Sequence, residues 1–257
     1  ELISELINIS EPNLNNETLF IFPEGILSSI YFEDLKKFKN IFSNNFSKKH
    51  KIILGMNMYE NQEIYNSILV LDNELNILGR YNKNKLVPFG EFLPFENIMN
   101  KLGLKKITEG HGSFISGKEQ NNISLDNLNI LPLICYEVIF TELIQKSHED
   151  TNLIINISED GWFGNSIGPF QHFSKGIFRA IEQNSFLIRS ANKGVSAIIN
   201  NKGEVLKELN IKESGNIELD VPIIKSNKKN KNDLIFFTLL FTYILFFKFA
   251  KNIYVKK

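Results

Sequence analysis

Cysteine is almost absent from this sequence: Cys135 is the only one among 257 residues. An internal disulfide is therefore excluded, because it needs two cysteines. Histidine is scarce too, and none of the four histidines has a partner at the spacing of metal ligands, so we expect no metal site and no cofactor. Net charge is also lacking, because 29 basic side chains balance 29 acidic ones. This balance removes any charge-based case for a nucleic-acid partner.

Long apolar runs are rare, and the one that stands out is LIFFTLLFTYILFF, residues 234–247. The apolar pattern continues past two lysines to residue 255. Since about 20 apolar residues cross the hydrocarbon core of a bilayer, we predict a transmembrane helix over 234–255. A polar, basic linker over 223–233 precedes it. The alternative is a buried core helix of roughly 14 residues, but the aromatic residues in the run and its basic flanks favour the membrane.

The first 222 residues have a different pattern, in which short apolar runs alternate with amphipathic segments. The opening ELISELINIS resembles the interior of a helix, so we expect the chain to be the C-terminal portion of a longer protein. Residues 65–83 alternate, turn near residue 72 and alternate again, which predicts a β-hairpin. Residues 170–181 carry apolar side chains at a helical period. Strands interleaved with helices predict an α/β layered domain.

Several predicted strands end in chemically reactive residues. Four triplets each follow an apolar run: FPE (22–24), YNK (81–83), CYE (135–137) and SED (158–160). Because the carboxyl ends of strands share one rim of an α/β sheet, we expect groups from different strands to meet there. The candidate set is one carboxylate, one lysine and one cysteine, namely Glu24, Lys83 and Cys135.

These three residue types are sufficient for covalent acyl transfer. A cysteine attacks as the thiolate, and Glu24 could take the proton of the Cys135 thiol. The oxyanion formed by attack on a carbonyl could accept hydrogen bonds from Lys83 and from the backbone N–H after the nucleophile. The product would be a thioester, and these residues leave open whether water or an amine collects the acyl group. Each residue also has a plainer interpretation, as a buried small hydrophobe or as a solvated loop residue.

Four motifs, in this order, resemble the carbon–nitrogen hydrolase (nitrilase) superfamily: FPEG (22–25), YNKNKLVPFGEFLPF (81–95), LICYEVIF (133–140) and DGWFGNSIGPFQH (160–172). The second and fourth are similar, more narrowly, to its apolipoprotein N-acyltransferase family. The resemblance covers nearly all of residues 18–257. It implies a nitrilase-like four-layer α-β-β-α sandwich over residues 1–222, from which the family's first strand and its N-terminal membrane domain are missing. The transmembrane helix over 234–255 would follow it.

The resemblance also assigns roles within these motifs. The catalytic triad of the family corresponds to Glu24, Lys83 and Cys135. Lys83 is chosen over Lys85 because the family's lysine lies eight residues before the glutamate of PFGE, and 83 plus 8 gives Glu91. Lys85 stands where the family often has histidine, and we interpret it as a bystander.

Two further glutamates of the motifs match glutamates that the family uses near its triad. We expect Glu91 to position Lys83. We expect Glu137 to order the loop behind the nucleophile.

Three aromatic residues correspond to positions at which the family lines its acyl-chain pocket. They are Tyr136, Trp162 and Phe163, and ordinary core packing is the alternative interpretation. His172 has no evident orienting partner in the sequence, so we expect it to form a structural hydrogen bond and not to act as a base. Glu159 departs from the family, which usually has asparagine there, and this change could alter a hydrogen bond near the pocket.

The function implied by the resemblance is a two-step acyl transfer at the bacterial inner membrane, with the catalytic domain facing the periplasm. Cys135 would take a fatty acyl group from a phospholipid, and the N-terminal amine of a diacylglyceryl-cysteine apolipoprotein would receive it. The membrane, the phospholipid and the apolipoprotein are thus the expected partners. One alternative is an amidase or nitrile hydrolase that uses the same triad on a small soluble substrate. A second is an inactive, membrane-anchored relic.

Overall fold

The structure is a computed structural model that describes residues 1–95, 113–118, 122–145, 150–224 and 232–255. Within these ranges the strands are β1 (Thr18–Ile21), β2 (His50–Glu60), β3 (Glu63–Leu71), β4 (Ile77–Asn82), β5 (Ile123–Leu125), β6 (Leu128–Ile134), β7 (Leu153–Glu159), β8 (Phe186–Asn192), β9 (Ser196–Ile199) and β10 (Val205–Leu209). The α-helices are α1 (Leu2–Ser10), α2 (Phe32–Leu35), α3 (Lys39–Asn45), α4 (Thr141–Gln145), α5 (Gly168–Gln183) and α6 (Asn232–Val255). Short 3₁₀ turns cover Lys36–Phe38, Cys135–Ile139 and Asp160–Phe163.

The strands form two sheets. The first has the order β1-β2-β3-β4, with β1 parallel to β2 and the other pairs antiparallel. The second has the order β10-β9-β8-β7-β6-β5, and its central strands β6, β7 and β8 are parallel. The predicted hairpin over 65–83 is confirmed as β3 and β4, whereas the short strand β5 was not predicted.

Three apolar layers separate four layers of secondary structure. One layer lies between the first sheet and the helices α1, α2 and α3, a second lies between the two sheets, and a third lies between the second sheet and the helices α4 and α5. Side-chain alternation produces this arrangement: Ile52 and Leu54 face the first layer, while Ile53 between them faces the second. The predicted α-β-β-α sandwich is thereby confirmed for this part of the chain.

The two sheets approach each other very closely at Gly55 on β2. A Cβ at this position would lie 2.8 Å from Cδ1 of Ile157 on β7 and 3.1 Å from Cα of Glu24. Glycine is needed here because any side chain would push β7 and the segment after β1 apart. This close approach lets residues that follow strands of different sheets share one site.

The chain divides into two compact units, Glu1–Ser226 and Asn227–Lys257. The second contains α6, in which the described side chains of residues 234–249 are all exposed. Across the described ranges, no helix combines the length and the apolar character that crossing a membrane requires. The predicted helix over 234–255 does form, but its predicted membrane span is not confirmed. Most of the predicted linker over 223–233 lies outside the described residues.

Candidate active site

Glu24 lies just beyond the end of β1, where Pro23 and Gly25 take the chain out of the sheet. Its Oε1 accepts a hydrogen bond of 2.7 Å from the Asn66 side-chain amide, and its Oε2 accepts one of 3.0 Å from the Glu159 backbone N–H. The second bond comes from the end of β7, in the other sheet. The carboxylate therefore joins the two sheets at their common rim.

Lys83 follows β4 directly and is 1% exposed. Its Nζ donates to Glu91 Oε1 at 2.9 Å and lies 3.8 Å from Glu24 Oε1. Burial alone would lower the pKa of Lys83, but the charges of Glu24 and Glu91 outweigh burial and raise it above its usual value. The ammonium is thus held charged beside both carboxylates. Lys85, in contrast, is partly exposed and pairs with Glu142 at 3.0 Å.

Asn66, in the middle of β3, was missed by the sequence analysis. The two hydrogens of its amide nitrogen reach Glu24 Oε1 at 2.7 Å and Glu91 Oε1 at 3.0 Å. Glu91 is held in turn by the Val87 backbone N–H, which donates to its Oε2 at 2.8 Å. One neutral amide group thus binds the side chains of both glutamates. The sequence did contain one indication: an asparagine within a strand whose other residues are mostly apolar. Such a side chain is buried and needs a hydrogen-bond partner.

Cys135 is the first residue after β6 and has a left-handed backbone with φ of 48°. Such a conformation is uncommon for a residue with a side chain and costs on the order of 1–3 kcal/mol, which is typical of functional sites. The thiol is buried and lies 3.9 Å from the Glu159 carbonyl oxygen. Burial and the charge of Glu24 raise the pKa of Cys135 to about 12, although Lys83 and a hydrogen bond with Ser158 work against this rise. At rest the sulfur is therefore a protonated thiol.

This protonation state predicts the pH dependence of Cys135 alkylation. We expect the rate with iodoacetamide to rise about tenfold per pH unit from roughly pH 7 to pH 9, because only the thiolate reacts. The rise should continue without a plateau, since the pKa of about 12 lies far above this range. Mass spectrometry of the only cysteine in the chain measures it directly. A plateau near pH 8.5, as in an unstructured cysteine peptide run in parallel, would contradict the burial argument.

Glu137 joins the loop after Lys83 to the end of β6, just before Cys135. Its side chain is fully buried, and it accepts four hydrogen bonds, from Tyr81 Oη at 2.7 Å, Asn84 N at 2.7 Å, Lys85 N at 3.0 Å and Ile134 N at 2.8 Å. Burial raises the pKa of Glu137, and the donors oppose that rise. Glu137 therefore organises the loops on both sides of the site. Its contacts with the loop after Lys83 were not predicted from the sequence.

His172 forms the structural hydrogen bond expected of it, and it also has an orienting partner that the sequence did not reveal. Its Nδ1 lies 2.9 Å from Asp160 Oδ1, and its Nε2 lies 3.1 Å from the Cys135 carbonyl oxygen. Asp160 also accepts a hydrogen bond of 2.7 Å from Arg189 on β8. These contacts join residues far apart in the chain, so no local pattern could reveal them.

The three aromatic candidates differ in exposure. Tyr136 is half-buried, and its ring meets that of Phe140 edge-on at 5.1 Å. Trp162 is 63% exposed and Phe163 is 36% exposed, so neither is a core residue. Phe163 rests on His172, with the ring centroids 5.4 Å apart. Core packing therefore does not explain Trp162 or Phe163.

Glu159, the residue that departs from the family pattern, accepts two hydrogen bonds through its side chain. Its Oε2 accepts a bond of 2.6 Å from the Asn192 amide, and its Oε1 accepts one of 2.8 Å from the Gly161 backbone N–H. Partial burial raises the pKa of Glu159. This side chain thus ties the end of β7 to the end of β8 next to Glu24.

Comparison with known proteins adds independent information. The family model described as carbon-nitrogen hydrolase matches residues 18–226. A relative from Rhodopseudomonas palustris named apolipoprotein N-acyltransferase is 44% identical over 159 residues, which is 62% of this chain and 30% of the relative. A relative of the same name from Rickettsia typhi is 36% identical over 257 residues, covering 93% of this chain and 50% of the relative. The chain thus spans between about a third and half of the length of these relatives.

Solved structures resemble the fold. A carbon-nitrogen hydrolase from Helicobacter pylori aligns with a TM-score of 0.59 at 17% identity, covering 83% of this chain and 81% of that one. An amidase from Nesterenkonia sp. AN1, which carries the acetamide moiety of fluoroacetamide on its active-site cysteine, aligns with a TM-score of 0.58 at 14% identity, covering 81% and 79%. At such identities the likeness concerns the fold alone.

Proposed function

Because the chain belongs to the carbon–nitrogen hydrolase family, we propose that its site transfers acyl groups through a thioester on Cys135. The acyl donor is a phospholipid, and the acceptor is the N-terminal amine of the diacylglyceryl-cysteine of an apolipoprotein. The names of the relatives from Rhodopseudomonas palustris and Rickettsia typhi support this choice over hydrolysis of a small amide. The observation that carries the proposal is the surroundings of the buried Lys83, whose ammonium lies 2.9 Å from Glu91 and 3.8 Å from Glu24 and interacts electrostatically with Cys135.

In the first half-reaction the Cys135 thiol passes its proton to Glu24 as the sulfur attacks the ester carbonyl carbon of the phospholipid. Lys83 and the Tyr136 backbone N–H stabilise the negative charge on the carbonyl oxygen. The intermediate then collapses: the bond from carbon to the glycerol oxygen breaks, and that oxygen takes the proton from Glu24. The products are the thioester and a lysophospholipid. Since the resting thiol is protonated, a base at the moment of attack is required.

In the second half-reaction the acceptor amine attacks the thioester carbonyl. A carbon–nitrogen bond forms, the carbon–sulfur bond breaks, and the proton of the amine reaches the Cys135 sulfur through Glu24. The free thiol is thereby restored, and no external reactant is consumed. Glu91 and Asn66 do not touch the reacting atoms but hold Lys83 and Glu24 in place.

Exposed apolar side chains next to the site suit a lipid substrate. Trp162, Ile167 and Phe170 are 63%, 68% and 52% exposed, and together with Phe163 they follow the end of β7 closely. Soluble proteins seldom expose such a group without a partner. We assign these residues to contact with the acyl chain of the donor.

The helix α6 is assigned to contact with lipid as well. Its large apolar side chains from Leu234 to Phe249 are between 42% and 72% exposed. We also propose that the protein is located at the bacterial inner membrane, with the catalytic unit on the periplasmic side. It places the enzyme beside two substrates whose reactive groups lie at the bilayer surface.

The test is mass spectrometry of the chain after incubation with phosphatidylethanolamine vesicles. We expect a fatty acyl adduct on Cys135 that hydroxylamine removes, and none in a Cys135→Ala control. Sedimentation of the same samples with the vesicles reports lipid association. If a folded chain acquires no adduct yet hydrolyses a short water-soluble amide, the amidase alternative replaces the proposal; if it does neither, the inactive relic does.

A further inference from the structure

A cluster of buried polar side chains lies directly beneath the nucleophile. Asp160, His172 and Arg189 are 0%, 4% and 1% exposed, and Ser158 is fully buried. The steps of the reaction proposed above use none of these side chains. Burying so many polar groups is unfavourable unless each has a hydrogen-bond partner, so the partners of these side chains indicate what the cluster does.

The contact between His172 and the nucleophile fixes which ring nitrogen carries a proton. His172 Nε2 lies 3.1 Å from the backbone carbonyl oxygen of Cys135. A carbonyl oxygen can only accept, so Nε2 must bear the hydrogen and donate it.

The other side of the ring is held by charged groups. His172 Nδ1 lies 2.9 Å from Asp160 Oδ1 and 3.1 Å from Arg189 Nη2, and Arg189 Nη2 donates to Asp160 Oδ2 at 2.7 Å. Ser158 donates to Asp160 Oδ1 at 2.6 Å. Burial alone would raise the pKa of Asp160, but the hydrogen bond with His172 and the charge of Arg189 outweigh burial and lower the pKa to about 2. The carboxylate is thus ionised at neutral pH and keeps the ring in a single orientation.

The carbonyl oxygen that His172 holds belongs to the peptide unit between Cys135 and Tyr136. This unit is trans, as are the other described peptide bonds, and it is planar. Its N–H, on Tyr136, therefore points in the direction opposite to the carbonyl. Holding the oxygen also fixes the direction of the N–H, and Tyr136 N–H is the backbone donor assigned to the oxyanion. The left-handed φ of 48° at Cys135 marks a strained backbone, which persists only where the surrounding structure holds it.

We propose that His172 is a positioning residue which, by donating from Nε2 to the Cys135 carbonyl, aims the Tyr136 N–H at the oxyanion of the acyl-transfer intermediate. Asp160 and Arg189 are the groups that keep the ring in place. The inference rests on the proposed function, because it concerns the geometry of the same acylation step. It adds a control over the oxyanion donor that the triad itself does not provide.

Two variants of nearly equal size separate this role from simple packing. In His172→Gln the side-chain nitrogen lies near the former Nε2 and can still donate to the Cys135 carbonyl. In His172→Asn the side-chain nitrogen lies near the former Nδ1 and can contact Asp160 but cannot reach the carbonyl. Both variants lose the aromatic ring and its contact with Phe163, so that loss cancels in the comparison.

Two reagents separate oxyanion stabilisation from general reactivity of the thiol. With p-nitrophenyl butyrate, the sulfur forms a bond to the carbonyl carbon through an oxyanion, and p-nitrophenolate leaves and takes up the thiol proton. With iodoacetamide, the sulfur displaces iodide from a saturated carbon and the thiol proton goes to solvent, so no oxyanion forms. Only the first reaction needs the Tyr136 N–H. Mass spectrometry of Cys135 follows both.

We expect His172→Asn to lower the rate constant for acylation by p-nitrophenyl butyrate roughly 10²-fold, the usual effect of losing one oxyanion donor, without changing the half-saturating ester concentration. Its alkylation rate should stay close to that of the wild type, and His172→Gln should recover most of the acylation. Equal losses in both reactions, equal losses in both variants, or no loss at all would overturn the inference. Because these reagents need no lipid, a failure of phospholipid to acylate Cys135 would contradict the proposed function without affecting this result.

Discussion

Replacing Glu24 by glutamine is expected to slow acylation of Cys135 about 10³-fold, within the range that general bases contribute. Glutamine has nearly the same shape, but it cannot take the thiol proton as the sulfur attacks. Because the resting thiol has a pKa raised to about 12, its proton has to be removed as the sulfur attacks the carbonyl carbon, and glutamine cannot accept it. Single-turnover acylation by p-nitrophenyl butyrate, followed by mass spectrometry at neutral pH, measures the loss.

The same variant should make Cys135 react faster with iodoacetamide. The negative charge of Glu24 is one of the causes that raise the pKa of Cys135, so removing the charge lowers that pKa and increases the thiolate fraction. Slower acylation together with faster alkylation indicates the loss of a base. Loss of structure would instead change both rates in the same direction. Glu74→Gln is a matched control, because Glu74 is an exposed surface residue that pairs with Lys39. Parallel changes in both rates would rule out Glu24 as the base.

Replacing Glu137 by glutamine is expected to have the largest effect on stability of the changes considered, about 3 kcal/mol, because it leaves a buried donor unpaired. The amide oxygen can take the place of Oε1, which accepts from Tyr81, Asn84 and Lys85. The amide NH₂ then faces the Ile134 N–H, which donates to Oε2 in the native chain. Two donors meet there in a fully buried site.

Thermal unfolding followed by circular dichroism measures this effect, and we expect the midpoint to fall by roughly 10 °C. Tyr81→Phe is the matched control, since it removes one of the four donors and should cost only about 1 kcal/mol. An unchanged midpoint in Glu137→Gln would show that the carboxylate does not hold the two loops together. Cys135 acylation should fall in the same variant, because Lys83 and Cys135 depend on those loops.

Much of the fold could be predicted from local patterns. The alternation on both sides of a turn over 65–83 predicted the hairpin of β3 and β4, because successive side chains of a strand point to opposite faces. The apolar residues at a helical period over 170–181 predicted α5, because such a period places them on one face of a helix. The strand β5 was missed because three residues are too few to establish a period. The membrane span predicted from the apolar run of α6 was not confirmed, although the helix itself was.

The candidate triad could be predicted because its members follow strands, and strand ends can be read from sequence. Glu24 follows β1, Lys83 follows β4 and Cys135 follows β6. Their roles remain proposals: the rule that catalytic groups collect at one rim of a sheet suggested the set, and the family resemblance chose Lys83 over Lys85.

The residues that hold the triad in place were decided by the tertiary structure alone. Asn66 reaches Glu24 across 42 residues of sequence, and His172 reaches Cys135 across 37. Such contacts depend on how the two sheets stack and on where α5 crosses the turn after β6, and no local period encodes either. Local sequence patterns therefore predict most of the elements and the reactive side chains that end them, because both depend on neighbours in the chain. Only the packed structure decided which polar groups orient those side chains, because that depends on distances between elements.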